Sequence, residues 1–171
     1  MTATTTREDL TLPPRPLIRL FWKLHRLAHR ATGGRFGLST PAAGGSFGML
    51  RLATVGRRSG RARIAIVGYV EDGQNLVTVA MNGWGRTDPA WWLNLQANPD
   101  AEAGLAGGTR AVRAREAVGE ERDRLWALVG SYSGWGENLD GLAARRPGRT
   151  AIVVLEPRAA SRDRIGPGNV A

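Results

Sequence analysis

Cysteine is absent from this chain of 171 residues, which removes disulfides, thiolate metal sites, iron–sulfur clusters and cysteine nucleophiles together. Histidine is almost as scarce. His25 and His29 are the two present, one helical turn apart, with no third histidine or cysteine to complete a metal site; they read as exposed helix residues, and no metal is expected. No run of about 18 apolar residues occurs, so no helix is expected to span a bilayer. The opening Met1-Thr-Ala-Thr-Thr-Thr-Arg-Glu-Asp9 has no apolar core of the secretory kind, and the default expectation is a cytoplasmic protein. Lysine is reduced to Lys23, so the net charge of +9 rests almost wholly on arginine. Such a charge points to an anionic partner: nucleic acid, a membrane surface or a phosphorylated small molecule. The length suits one domain with a real core, with or without a terminal helix, rather than two.

What is present centres on residues 50–70. Met49 to Val55 alternates large apolar and other residues with period two. Gly56-Arg57-Arg58-Ser59-Gly60-Arg61 turns the chain on two glycines free to take positive φ. Ala62 to Val70 runs back as a strand rich in β-branched residues. The tip therefore gathers Arg57, Arg58, Arg61 and Arg63 with a serine hydroxyl and several amides. Guanidinium forks match phosphate or carboxylate oxygens two at a time, so this tip is a candidate anion site; the competing reading is four solvated arginines.

Residues 1–15 read as a disordered lead and 16–31 as an amphipathic helix opened by Pro16. Leu17, Leu20, Phe21, Leu24, Leu27 and Ala28 fall at helical spacing, opposite Arg19, Lys23, Arg26 and Arg30. That helix either lies across the rest of the fold, burying Phe21 and Trp22, or makes a peripheral contact with an anionic membrane. Gly44-Gly45-Ser46-Phe47-Gly48 matches the G-x-S-x-G nucleophile elbow in letters. A strand follows it where a helix is required, and both histidines lie upstream, which excludes a serine hydrolase. Leu76 to Ala80 is a third strand after the turn Glu71 to Asn75. Residues 81–88 form a glycine-bearing loop, and Pro89 to Ala97 a short helix capped by Asp88 or Thr87. Its Trp91 and Trp92 are either core or site. Ala101 to Ala106 and Thr109 to Val118 are two further strands, Gly119 to Val129 a helix, and Thr150 to Glu156 the closing strand.

Six strands with few, short helices predict a mainly β protein with flanking helices (α+β), a closed antiparallel barrel over residues 46–157, with 158–171 as a flexible tail. On these elements the blocks Thr54-Val-Gly-Arg-Arg-Ser-Gly60 with Arg63, Val79-Ala-Met-Asn-Gly83, Asp88-Pro-Ala-Trp-Trp-Leu-Asn-Leu-Gln-Ala-Asn-Pro99, Glu120 to Trp126 and Ile152 to Pro157 resemble the deazaflavin-dependent nitroreductase family. The resemblance covers roughly Leu50 to Pro157. It implies a split β-barrel related to flavin mononucleotide-binding proteins and coenzyme F420 as cofactor, with FMN ranked behind it.

Carried over residue by residue, the resemblance implies that Arg57, Arg58, Ser59 and Arg63 hold the cofactor's phosphate and tail carboxylates. Ala80, Met81, Asn82 and Gly83 would lie against the deazaflavin ring through backbone amides. Trp91 and Asn94 match the family's cofactor-facing helix. Tyr132, Trp135 and Asn138 fall where relatives place substrate-pocket tyrosines, and Tyr132, with Ser131 and Ser133 behind it, is the candidate catalytic proton donor. Members of the nitroreductase type often read Ala-Ser-Lys-Gly where this chain has Ala80-Met81-Asn82-Gly83, so a hydroxyl and a cation are replaced.

The implied activity is hydride transfer from the reduced cofactor to a small planar acceptor, a quinone, an activated alkene or a nitro compound, with Trp135 and Trp84 stacking on it. The alternative is a non-catalytic split-barrel binding protein for a lipid, flavin or haem-like ligand. Nucleic acid is not expected as a partner, because the tryptophans sit mostly at core-like spacing rather than interleaved with the arginines. The oligomeric state is left open.

Overall fold

A computed structural model describes residues 37–82, 85–135 and 139–158. The lead and helix expected over 1–31 and most of the tail expected over 158–171 lie outside them. The elements are β1 (Gly48–Val55), β2 (Ala62–Asp72), β3 (Asn75–Val79), α1 (Ala90–Ala97), β4 (Asp100–Leu105), β5 (Gly108–Glu116), α2 (Gly119–Gly130), α3 (Leu139–Ala144) and β6 (Ile152–Pro157). All six strands pair antiparallel, closing a barrel in the order β1-β2-β3-β6-β5-β4. This is the expected six-stranded split β-barrel. Among the described residues no helix is long and apolar enough to cross a membrane.

Two hydrophobic clusters divide the core by strand face. Inside the barrel, Leu50, Leu52, Val67, Tyr69, Leu76, Val112, Val153 and Leu155 meet, and α1 adds Trp91, Trp92 and Leu95. Outside it, α2 lays Leu125 and Val129 against Val70, Val77, Val79, Ile152 and Val154. β3 and β6 are therefore buried on both faces, so each reads as an unbroken apolar run, whereas β1 and β5 alternate with one face solvated.

The ladder is staggered in a way that makes the site. β2 pairs with β1 over Ala62 to Tyr69 but with β3 only over Val70 to Asp72. A side-chain bond from Thr78 Oγ1 to the Gly68 carbonyl (2.7 Å) marks where β3 leaves β2. The half of β2 nearest the arginine turn thus has a neighbour strand on one side only. The turn, the end of β3 and the start of α1 lie toward this end; the Gly73-Gln74 hairpin lies at the other, with Gly73 at φ 62°.

Local chemistry differs from expectation at three places. Of the two turn glycines only Gly60 takes positive φ (64°); Gly56 matters for space, since a Cβ there would lie 2.9 Å from Ser59 Oγ. Neither Asp88 nor Thr87 caps α1: Pro89 is the cap residue and no side chain bonds the first turn, because Asp88 is engaged by Arg146. Helix α3 is an element without a sequence expectation; six residues with no buried side chain leave no apolar stripe to read.

Candidate functional site

The turn between β1 and β2 is built by its own backbone. Gly56 N–H donates to Arg61 O (2.8 Å), while Ser59 and Gly60 N–H both donate back to Gly56 O (3.1 and 2.8 Å). Ser59 Oγ then accepts from Arg63 Nη2 (3.3 Å) and the Arg61 amide (3.4 Å), tying the strand to the tip. Arg57, Arg58, Arg61 and Arg63 are all exposed, and among the described residues no carboxylate pairs with any of them. Four unneutralised guanidinium groups on one short turn repel one another, and an anion between them relieves that repulsion.

Asn94 of α1 holds this turn in place. Its Oδ1 accepts from the Arg57 amide (3.1 Å) and its Nδ2 donates to Thr54 Oγ1 (3.2 Å), which in turn donates to Arg63 O (3.4 Å). The side chain is 5 % exposed, and an amide buried so deeply has to be hydrogen-bonded. Asn94, expected on the cofactor-facing helix, is bonded to the turn that carries the arginines. Trp91, 9 % exposed and edge-to-face with Trp92 at 6.5 Å, is likewise packed into the barrel mouth.

The loop from 80 to 88 leaves β3 toward the same end. Ala80 is fully buried, its N–H donating to Ala151 O (2.9 Å), and the Met81 N–H donates to Val79 O (2.8 Å). The amides of Ala80 and Met81 are thus engaged inside the fold, whereas Asn82 is exposed. Gly83 and Trp84 lie outside the described residues.

Met81 and Tyr132 pack on the same outer cluster, half-buried, with Phe47 and Leu139 beside them. Met81 of the loop after β3 and Tyr132 thus both pack against the outer cluster. Trp135 does not offer the expected stacking face: it is 3 % exposed, its ring 4.3 Å from that of Phe47, and a Cβ at Gly68 would strike both rings. Ser131 Oγ is committed to Leu128 O (2.6 Å), so Tyr132 and Ser133 carry the available hydroxyls of that segment. Asn138 lies outside the described residues.

One residue had no signal of its own in the sequence. Arg146, whose side chain is 3 % exposed, donates from Nη1 to Ala80 O (2.7 Å) and Thr150 Oγ1 (3.1 Å), from Nε to Gly85 O (3.1 Å), and from Nη2 to Asp88 Oδ1 (2.7 Å). In the run Arg145-Arg146-Pro147-Gly148-Arg149 nothing distinguishes it from its solvated neighbours.

An anion-ready turn after β1 and a clamped loop after β3 on a split barrel suit a phosphorylated redox cofactor. Residues 22–156 match the model of the F420H(2)-dependent quinone reductase family. The chain belongs to that family. It is an F420-dependent oxidoreductase, and its cofactor is coenzyme F420. An F420H(2)-dependent quinone reductase of Mycobacterium tuberculosis strain H37Rv is 34% identical over 109 residues, 63% of this chain and 71% of the relative. A second quinone reductase named from that strain is 31% identical over 103 residues, 60% of this chain and 83% of the relative. Among solved structures, an F420-H2 dependent reductase superposes with a TM-score of 0.55 at 25% identity, covering 63% of this chain and 93% of the other. A domain-swapped dimer shares the fold at 22% identity and a TM-score of 0.60, over 82% and 99% of the two chains.

Proposed function

We propose that this reductase passes a hydride from reduced coenzyme F420 to a quinone, with nitro compounds and activated alkenes as slower acceptors. The observation that carries the reading is the arginine turn: four exposed guanidiniums without a described carboxylate partner, on a loop fixed by Asn94 and Ser59. The residues present fit the cofactor. Its phosphate and tail carboxylates need forked cationic donors on a backbone that does not rearrange, and the turn provides both.

In this reading Arg57, Arg58 and Arg63 hold the anionic tail, Ser59 orients Arg63, and Asn94 anchors the Arg57 backbone by accepting its N–H. The loop at Met81-Asn82 sets the ring side, and Trp91 packs behind it. When bound, the reduced deazaflavin supplies the hydride. Reduction of a quinone to a hydroquinone also consumes a proton, which Tyr132 or water delivers to the carbonyl oxygen that becomes negative. The half-buried wall of Met81, Tyr132 and Phe47 receives a planar apolar acceptor and keeps water from the ring. The name of the family and of its quinone-reductase relatives supports reading quinones as the preferred acceptors.

The test is a spectrophotometric assay of purified protein with reduced F420 and separate quinone, nitro and alkene arms. Protein-dependent return of the oxidised cofactor's absorbance, fastest with a quinone, is expected. Reoxidation no faster than without protein in every arm would end the reading.

A further inference from the structure

The Ala80 carbonyl is 0 % exposed at its residue and bonded to a charged group, although it stands at the mouth of a loop that otherwise reaches solvent. Following that bond leads to the densest polar contact in the described fold. One guanidinium, on the residue just past α3, grips two main-chain oxygens that stand on either side of Met81 and Asn82: Ala80 O before them and Gly85 O after them. Asp88, at the foot of α1, holds its far side, and Thr150, at the entrance to β6, its near side.

The partners are not interchangeable with solvent. Burying a guanidinium is costly unless its N–H groups are satisfied, and here four donor contacts are made within 3.1 Å. Ala80 is fixed twice, since its N–H reaches Ala151 O on the same incoming segment. Between the gripped oxygens the loop closes on itself through the Gly85 N–H to Asn82 O bond (2.9 Å), and a Cβ at Gly85 would lie 3.0 Å from that same oxygen. The described residues on both sides of the loop, Ala80 and Gly85, are therefore held by one guanidinium. Met81 extends from it to the apolar wall shared with Tyr132.

We propose that Arg146 is a positioning residue for hydride transfer: its guanidinium fixes Ala80, Gly85 and Asp88, and through Ala80 the adjoining Met81 and Asn82, and so the distance and tilt between cofactor ring and acceptor. The proposal rests on the reading of Met81-Asn82 as the ring side of the site. Arg146 touches neither cofactor nor acceptor in this role. Affinity for the tail is set at the arginine turn, so loosening the loop lowers the rate of transfer more than the affinity. A misplacement of about 1 Å is enough for a loss on the order of 100-fold.

The experiment compares wild type with Arg146→Met, Arg146→Lys and Asp88→Asn. Cofactor-free amide hydrogen exchange reports the clamp, fluorescence quenching the F420 affinity, and single-turnover kinetics the transfer. For Arg146→Met the expected results are exchange at 80–88 faster by about tenfold or more with the barrel strands unchanged, affinity within about threefold, and transfer down about 100-fold. Added guanidinium ion at low millimolar concentration restores part of that rate to Arg146→Met and none to wild type. Arg146→Lys falls between, because a point charge cannot reach both carbonyls. Unchanged loop exchange, or an unchanged transfer rate, overturns the proposal. Should Arg146→Met fail to fold, Asp88→Asn decides: a drop of about tenfold in transfer with affinity kept supports it, and no change overturns it. A wild-type protein that transfers no hydride sinks the functional reading, and the proposal with it, whatever the exchange data show of the clamp.

Discussion

Two groups of arginines on this barrel invite comparison. Three on β5 and α2 are neutralised: Arg113 meets Asp100 at 3.0 Å, Arg115 meets Glu121 and Glu156 at 2.6 and 2.7 Å, and Arg124 meets Asp72 at 2.8 Å. On the β1–β2 turn Arg57, Arg58 and Arg61 have no such partner among the described residues, and Arg63 reaches a serine hydroxyl instead. The residue type is the same and the exposure similar; the difference is where carboxylates are placed. Four arginines without a described carboxylate partner stand together on that turn, and in the proposed reading a ligand supplies their counter-charge.

The largest effect that tests this contrast comes from Arg57→Ala, Arg58→Ala and Arg63→Ala combined. Charge-assisted bonds contribute about 1.5–3 kcal/mol each when partly shielded, and exposure discounts that, so about 3 kcal/mol in all, or roughly 100-fold in F420 affinity, is expected. Arg113→Ala, which removes an equally exposed but paired arginine, leaves affinity unchanged. Fluorescence titration of both variants checks the pair. Equal losses would mean that net charge alone attracts the cofactor.

A smaller effect separates the charges from the frame that holds them. Asn94→Ala leaves every arginine in place but removes the bonds to the Arg57 amide and to Thr54. Loss of a buried amide's partners costs about 1–3 kcal/mol of stability, and loosening of the turn lowers F420 affinity about tenfold. Denaturant unfolding and the same titration read the two effects; full affinity in a destabilised variant would show that the turn needs no frame. Smaller still is the response to salt. The turn is exposed, so raising ionic strength from roughly 0.1 to 1 M, which shortens the screening length from about 10 to 3 Å, weakens binding several-fold in wild type and less in the triple variant.

How much of this was legible follows from the range of each signal. The turn announced itself because its glycines, serine and arginines are neighbours in sequence, and the six strands because strand patterning and turn residues are local. Trp91 and Trp92 are ambiguous in the sequence and Trp135 reads there as a stacking ring, since core and pocket ask for the same apolar ring, and only burial separates them. Asp88 read as a helix cap, its commonest local use. Its real partner is Arg146, across a separation no local pattern records. Asn94 carried the family's signature, but its side chain points at Thr54 and the Arg57 amide through a contact that closes only when α1 covers the barrel mouth.

The smallest effect lies in the neutralised group and sharpens the contrast through pH. Hydrogen bonding to Arg115 holds the Glu121 carboxyl below the usual carboxylate range, with burial opposing weakly, and Arg124 does the same for Asp72. A folded value below the unfolded one means that the ionised carboxylate stabilises the fold. The contribution is complete above the unfolded value, about 4.3 for glutamate, and is lost as pH falls through the lowered folded value. Because the Arg115–Glu121 side chains are 39% and 33% exposed, the share is at most about 1 kcal/mol. Glu121→Gln is therefore expected to flatten the fall in the urea midpoint below pH about 5, measured without cofactor, and to change nothing at pH 7 beyond a small constant offset. The turn serves as the contrast, since no described carboxylate pairs with it: Arg57→Ala is expected to leave the acid slope as it was. An unaltered slope in Glu121→Gln would show that the paired arginines, like the unpaired ones, contribute nothing to stability through titration, and that their carboxylates serve only to keep anions elsewhere.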